Sequence, residues 1–398
     1  MSCAPIVLHK IFMASYRYLS FRAVWKVGLL VVFLSACSPI SPVSFLFPSA
    51  TPTQTATAVR PTVTPTATPT ATPTPTLTPT PRTPPLLPAL YQNDGLTPFG
   101  TPHTYIQDTC QYLHNKWSSA SSTPGTVVMV IMFHSITNGA LTNPNQASEF
   151  GFRTLMKTLY DDGFQAITTA QLAGFMENNA MIPERSALLV TDDRHPAQYF
   201  NALFREYWDK YGWPVVNAWI STDLTTADLW KQQEELNSEG WVDYQAHGYI
   251  HNIPIGPDSS EEYILGELQK PIDIFMQHFN KKPIAIIWPG GGFTPHAANV
   301  ARRLGYRLGF TVNPRGPLMY NWVPLGDEST PVHPGWIPEG PVDDPLMVLP
   351  RYWDTDAIIH IPQVIQIGQE ATAYAQANKS TELEYYDIVC SASYGAIP

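Results

Sequence analysis

Leu188-Leu189-Val190-Thr191-Asp192-Asp193-Arg194-His195-Pro196 sets an apolar run against two adjacent carboxylates, an arginine and a proline. Four consecutive apolar or β-branched residues, Leu188 to Thr191, predict a strand buried on both faces, the habit of a parallel sheet. Pro196 cannot donate to a sheet ladder, so the strand ends before it. The carboxylates then stand at a strand terminus, a frequent place for chemistry. Successive side chains of a regular strand point to opposite faces, so Asp192 and Asp193 can share one site only if the chain leaves the pleat between them.

Working outward, a similar apolar, β-branched run, Gly125 to Phe133, predicts a first core strand ending at His134. Phe150, Phe152, Leu155, Met156 and Leu159 fall at helical spacing before Asp161-Asp162-Gly163, and Phe164 to Ile167 reads as a short strand, with a helix starting at Thr169. After the Leu188 strand the pattern predicts a helix over 196–211, a strand over 215–220, a strand-like stretch over 242–245 and a helix over 261–279. A strand over 284–288 and a helix over 295–304 complete the series. This βα alternation implies a parallel sheet, open or closed into a barrel, with reactive groups beyond the carboxyl ends of its strands.

Those ends carry His134, Asp192 with Asp193, His247 with His251, and the turn Trp288-Pro289-Gly290-Gly291-Gly292. Histidines at i and i+4 would lie on one side of a helical turn, at a separation suited to gripping one ion. Alone, this spacing is weak evidence. Two imidazoles and one carboxylate would leave a zinc-like ion with an open position for water. Asp193 is then the metal ligand, and Asp192 the base that accepts a proton from the metal's water. The competing reading has both aspartates capping the following helix at its positive end.

With these residues in place, the domain resembles the polysaccharide deacetylases of the NodB-like carbohydrate esterase family, in the branch opening with a Tyr/Phe-His signature. The likeness spans roughly residues 125 to 355. It rests on Asp192-Asp193, on His247-x-x-x-His251 and on Met132-Phe133-His134-Ser135-Ile136. Asp162-Gly163-Phe164, Trp288-Pro289-Gly290-Gly291, Leu304-Gly305-Tyr306 and Leu349-Pro350-Arg351 add to it. The resemblance implies an irregular (β/α)7 barrel and hydrolysis of N-acetyl groups, usually on N-acetylglucosamine polymers or peptidoglycan. It also implies a divalent metal, zinc first, held by Asp193, His247 and His251. Asp192 is the implied base and His134 the implied acid for the departing amine; a core histidine is the alternative for His134, and His360 a weaker second candidate for the acid. Trp288, Pro289, Gly290, Arg194 and Tyr249 are the expected substrate contacts.

The chain departs from the family pattern at Arg194, where a glycine usually follows the two aspartates. This cation would either obstruct the site or replace the third-motif arginine missing before Pro289. Thr191 also replaces a phenylalanine. Arg194 filling the site gives a rival expectation, a carbohydrate-binding pseudoenzyme; a third, an esterase acting on O-acetyl sugars, shares the machinery and differs only in leaving group.

The first quarter of the 398 residues does not have globular composition. Arg17, Arg22 and Lys26 precede an apolar run from Val27 to Leu34 that ends Leu34-Ser35-Ala36-Cys37. The run is too short to span a bilayer, and its order is that of a secretory signal. The small residues before Cys37 resemble a bacterial lipobox. This implies a lipoprotein signal peptide over 1–37, with Met13 a candidate start, and a cell-surface protein anchored to the membrane by acyl chains at Cys37. An ordinary signal peptide is the alternative. Residues 38–98 read as a Thr/Pro-rich disordered linker; at roughly 3.1 Å per residue in extended geometry, about 50 residues hold a domain some 100 Å from its anchor. Residues 99–398 form the expected catalytic domain. Removing residues 1–36 leaves 19 basic against 33 acidic residues, a formal charge of −14. An exported domain this acidic is a poor partner for nucleic acid. Cys110 and Cys390, near its two ends, either form a disulfide or stay as separate buried thiols.

Overall fold

The apolar run ending at Asp192 lies inside a curled parallel sheet. The computed structural model describes residues 82–97, 99–251 and 253–397; the expected signal peptide, the Cys37 anchor and most of the linker lie outside the described residues. In chain order the elements begin with β1 (Gly100–His103), α1 (Thr109–Trp117), β2 (Val127–Phe133), β3 (Ser135–Thr137), β4 (Gln146–Ser148), α2 (Glu149–Asp161), β5 (Gln165–Ala166), α3 (Thr169–Asn178) and β6 (Arg185–Asp192). They continue with α4 (Ala197–Leu203), α5 (Arg205–Tyr211), β7 (Val215–Trp219), α6 (Ala227–Ser238), β8 (Val242–Ala246), α7 (Glu261–Phe279), β9 (Ala285–Ile287) and α8 (Pro295–Leu304). The last are β10 (Leu308–Phe310), β11 (Val323–Gly326), β12 (Tyr352–Trp353), α9 (Ala357–Val389) and α10 (Ser391–Tyr394).

The main sheet runs β10-β9-β8-β7-β6-β2-β12, with β5 added beside β6, and every pairing in it is parallel. Its two edges come together through residues 349–353. Leu349 bridges to Phe310 of β10, while Tyr352 and Trp353 pair with Ile131 and Met132 of β2. The sheet thus curls round on itself through one short segment, in keeping with the irregular (β/α)7 fold expected from sequence. Alternate residues serve different sides. Val128, Val130, Leu188 and Val190 enter one apolar cluster, while Val127, Met129, Ile131, Ala187 and Leu189 enter the other. This two-sided burial is why these strands are continuously apolar.

Helix boundaries follow local chemistry. Ser148, Thr168, Ser260 and Thr294 each accept a backbone N–H from the first turn of the helix they precede, satisfying a donor that would otherwise be bare. Pro295 opens α8 and Gly305 closes it in the left-handed region. The helix expected over 196–211 instead breaks at Phe204, which ends α4 and starts α5. The Phe204 ring is buried against Phe133 and Phe152, with centroids 5.6 and 5.0 Å away. Periodicity also missed α6, β10 and the long α9.

Residues 82–97, expected within the linker, lie against the domain: Tyr374 donates its hydroxyl to Ala89 O (2.7 Å) and Trp322 Nε1 donates to Tyr91 O (2.9 Å). Apolar Leu87 and aromatic Tyr91 pack on the domain there, which a pure Thr/Pro stretch could not do. Of the two readings for the cysteines, the disulfide is present: Cys110 and Cys390, 280 residues apart in sequence, are bonded and join α1 to the end of α9.

Candidate active site

Because the strands are parallel, their carboxyl ends meet at one mouth. Register places Phe133 beside Thr191, Met132 beside Trp353 and Asp192 beside Ala218. The residues that follow β2, β6 and β8 therefore converge. Asp192 keeps the parity of Leu188 and Val190, so it ends the strand pointing to their side of the sheet. Asp193 has φ of 73°. That left-handed turn, tolerated by aspartate, takes the chain out of the pleat and lets the second carboxylate reach the same mouth.

Asp193, His247 and His251 bring one ligand atom each to within 4.8 Å of the others. The sequence expectation of a helical turn for the two histidines is not met. They lie in a loop after β8 in which Gly248 has φ of 75° and His251 φ of 58°, and the left-handed backbone, not an i and i+4 helical face, brings the imidazoles together with centroids 4.3 Å apart. A Cβ at Gly248 would come 2.4 Å from Glu267 Oε2 and 2.7 Å from Pro289 Cγ, so only glycine fits.

The donor chemistry suits a divalent cation. His247 Nδ1 lies 2.9 Å from Ile287 O; a carbonyl can only accept, so Nδ1 carries the proton and Nε2 is left bare to ligate. Burial holds His247 below the ordinary imidazole value, against the opposing pull of Asp192, which favours the neutral ring that a metal requires.

Asp192 is fully buried. Arg351, which is 0 % exposed, donates Nη1 to Asp192 Oδ1 (2.7 Å) and Nε to Thr311 O (2.7 Å). Burial by itself would raise the Asp192 carboxyl, but the Arg351 guanidinium, with His247 and His134, outweighs it and holds the group well below the usual carboxylate range. His134 Nε2 approaches Asp192 Oδ2 at 3.7 Å. Its ring stacks on Trp353 at 5.2 Å and 12°, and Trp353 is fixed by donating Nε1 to Val312 O (3.2 Å). His134 keeps an exposed edge, unlike a sealed core histidine.

Several expected contacts are corrected. Arg194 is exposed and makes no hydrogen bond or ion pair with the described residues; it neither fills the cation position nor orients the base. Arg351, from a strand segment 159 residues away, provides that charge. Trp288 is 0 % exposed and donates Nε1 to Met347 O (2.8 Å), so no face is free to stack on a sugar. Pro289 is buried beside Gly248, and Gly290 is exposed in a left-handed turn beside Pro254. Tyr249 is nearly buried, bonds through its hydroxyl to Asp223 and has Lys270 Nζ 4.1 Å above its ring. His360 sits on α9 against Tyr352 (5.2 Å) and contacts none of the clustered residues.

Asp354, next to Trp353, was not anticipated. Its backbone N–H extends the β12–β2 pairing by donating to Met132 O (3.1 Å), and its Oδ2 is buried without a hydrogen-bond partner among the described residues. Burial pushes its carboxyl up to about 7, with Asp356 and Asp192 adding to the rise. A carboxyl that titrates near 3.9 unfolded and near 7 folded contributes stability that is complete below about pH 4 and lost as pH rises through 7. Urea unfolding from pH 4 to 8 should therefore show native stability falling relative to Asp354→Asn, by at most about 1.4 kcal/mol per pH unit. Parallel pH profiles for the two proteins would refute this assignment.

Fold and site together define a curled α/β barrel with a carboxylate-imidazole cluster at the carboxyl ends of its strands. Residues 181–309 match the sequence profile of the polysaccharide deacetylase family. The Bacillus subtilis (strain 168) protein YxkH is 22% identical over 186 residues, covering 46% of this chain. The match spans 64% of that relative's length. Among solved structures, the Streptococcus pyogenes deacetylase PplD in complex with acetate aligns at 21% identity and TM-score 0.47, over 61% of this chain and 99% of that one. IcaB from Ammonifex degensii aligns at 17% identity and TM-score 0.45, over 63% of this chain and all of that one.

Proposed function

We propose that the domain is a metal-dependent hydrolase that removes N-acetyl groups from an extracellular polysaccharide of the N-acetylglucosamine or peptidoglycan kind. One observation carries this reading: three cation-ligand atoms cluster beside an ionised carboxylate that a buried arginine holds in place. A divalent cation, zinc first, on Asp193, His247 and His251 would supply Lewis acidity, lowering the pKa of a water and offsetting negative charge on the acetyl oxygen. Asp192 accepts the proton. A carboxylate is too weak a base for bulk water, near pKa 15.7, and needs a water acidified to about 7. That mismatch is what makes the chemistry depend on a cation. His134, whose Nε2 stands beside Asp192 and whose ring Trp353 orients, donates a proton to the departing amine. The pseudoenzyme alternative rested on Arg194 blocking the site, and Arg194 points to solvent.

We also read the protein as exported and anchored at Cys37, which would put the site outside the cell. The Cys110–Cys390 disulfide supports an oxidising compartment. The purified protein is expected to bind one equivalent of Zn2+ and to release acetate from chitin oligomers or peptidoglycan, with loss on chelation and recovery on adding Zn2+. Release only from acetylated xylan would move the reading to ester hydrolysis. Release from none of these polymers under any divalent metal would refute it.

A further inference from the structure

Glu267 lies on α7, on the apolar face otherwise formed by Ile264, Leu268, Pro271 and Phe275, and is 1 % exposed. No lysine, arginine or histidine pairs with it among the described residues. Instead, its carboxylate accepts three backbone N–H groups in a row: Tyr249 N at 3.0 Å on Oε2, Ile250 N at 2.8 Å on Oε1 and His251 N at 3.2 Å on Oε2. These amides belong to the loop between the two histidines of the candidate cation site, which lies outside the helices and strands and is also tied at its start by Ser221 N donating to Gly248 O (3.1 Å).

We infer that Glu267 is the positioning residue of that cation site, shaping the His247–His251 loop from behind through three backbone hydrogen bonds. This rests on the reading that Asp193, His247 and His251 hold a divalent cation. His251 has φ of 58°, a region that a non-glycine residue keeps only where its surroundings enforce it. The bond from its own N–H to Glu267 supplies that constraint, and the tight fit of Gly248 against Oε2 fixes the start of the loop. A carboxylate suits the task because it offers about four acceptor positions. A carboxamide has one oxygen, and its NH2 group would face the third amide donor-to-donor. The loop is therefore preorganised for a cation before one arrives.

The test is Zn2+ titration of the full-length protein by chelator competition, comparing wild type with Glu267→Gln, Glu267→Asp and His247→Ala. A core substitution on α2, Leu159→Ala, serves as a control for destabilisation alone. Glu267→Gln is expected to weaken Zn2+ binding by about 10–100-fold, the usual effect of losing an outer-shell partner. Glu267→Asp, which keeps the charge on a shorter arm, should recover part of that loss, and Leu159→Ala should bind as wild type does. Unchanged affinity in Glu267→Gln, or an equal loss in Leu159→Ala, overturns the inference. If Glu267→Gln fails to fold, Glu267→Asp decides: wild-type affinity there overturns it, and weakened affinity supports it. Binding that His247→Ala leaves intact overturns the cation-site reading itself, and this inference with it.

Discussion

Asp192→Asn should abolish acetate release while leaving the bound cation in place. The substitution is nearly isosteric and replaces none of the three ligand residues, though Asp192 Oδ2 lies 3.9 Å from His247 Nε2, so metal content measured by elemental analysis should match wild type. What disappears is the proton acceptor that Arg351 fixes at the mouth. Loss of a positioned general base costs about 10²- to 10⁴-fold in rate. A variant that kept more than a tenth of wild-type kcat on the same polymer would remove Asp192 from the proposed chemistry. One that lost the cation would show instead that Asp192, not Asp193, is a ligand.

Arg351→Met is expected to be the most destabilising single change at the site, at about 3–5 kcal/mol, the usual cost of removing one partner from a buried ion pair. The loss comes from what remains behind. Asp192 would be left buried with a charge no longer offset, and Thr311 O would lose its donor. Only His247 and His134 would then oppose burial at Asp192, and its carboxyl would rise. In the native protein its pKa is depressed, so its contribution to stability is present above the unfolded value near 3.9 and is lost only on strong acidification. Arg351→Met should remove that acid-side slope. Pairing it with Asp192→Asn tests the cause, because the double variant leaves no buried charge and should recover about 0.5–3 kcal/mol relative to the sum of the single changes. Strict additivity in urea unfolding would mean that the two side chains do not depend on each other.

Much of this site can be read in the sequence because its parts are local. Asp192-Asp193 at the end of an apolar run, His134 after another, and two histidines four residues apart are each visible within a few positions. The wrong local geometry was still inferred for the histidines: spacing by i and i+4 fits a helix, but the left-handed Gly248 and His251 make a loop with the same outcome. The substrate contacts fared less well, since an aromatic or a cation near a motif has no fixed direction until packing sets it. Trp288 was claimed by the core and Arg194 by solvent. Glu267 did carry a signal, a lone acid on the buried stripe of an amphipathic helix. Such an acid needs a partner, and nothing in the sequence says which.

By itself, the sequence determined the alternation of strands and helices, the residues at the strand ends and the candidate cation-ligand residue types, because each depends on periodicity or on chemistry within one turn of chain. Closure of the sheet decided the rest. Bringing Leu349–Trp353 against both β10 and β2 is what sets Arg351 on Asp192 and Trp353 on His134. Groups more than a hundred residues apart meet only after the barrel has curled, and a buried charge takes whichever partner that geometry delivers.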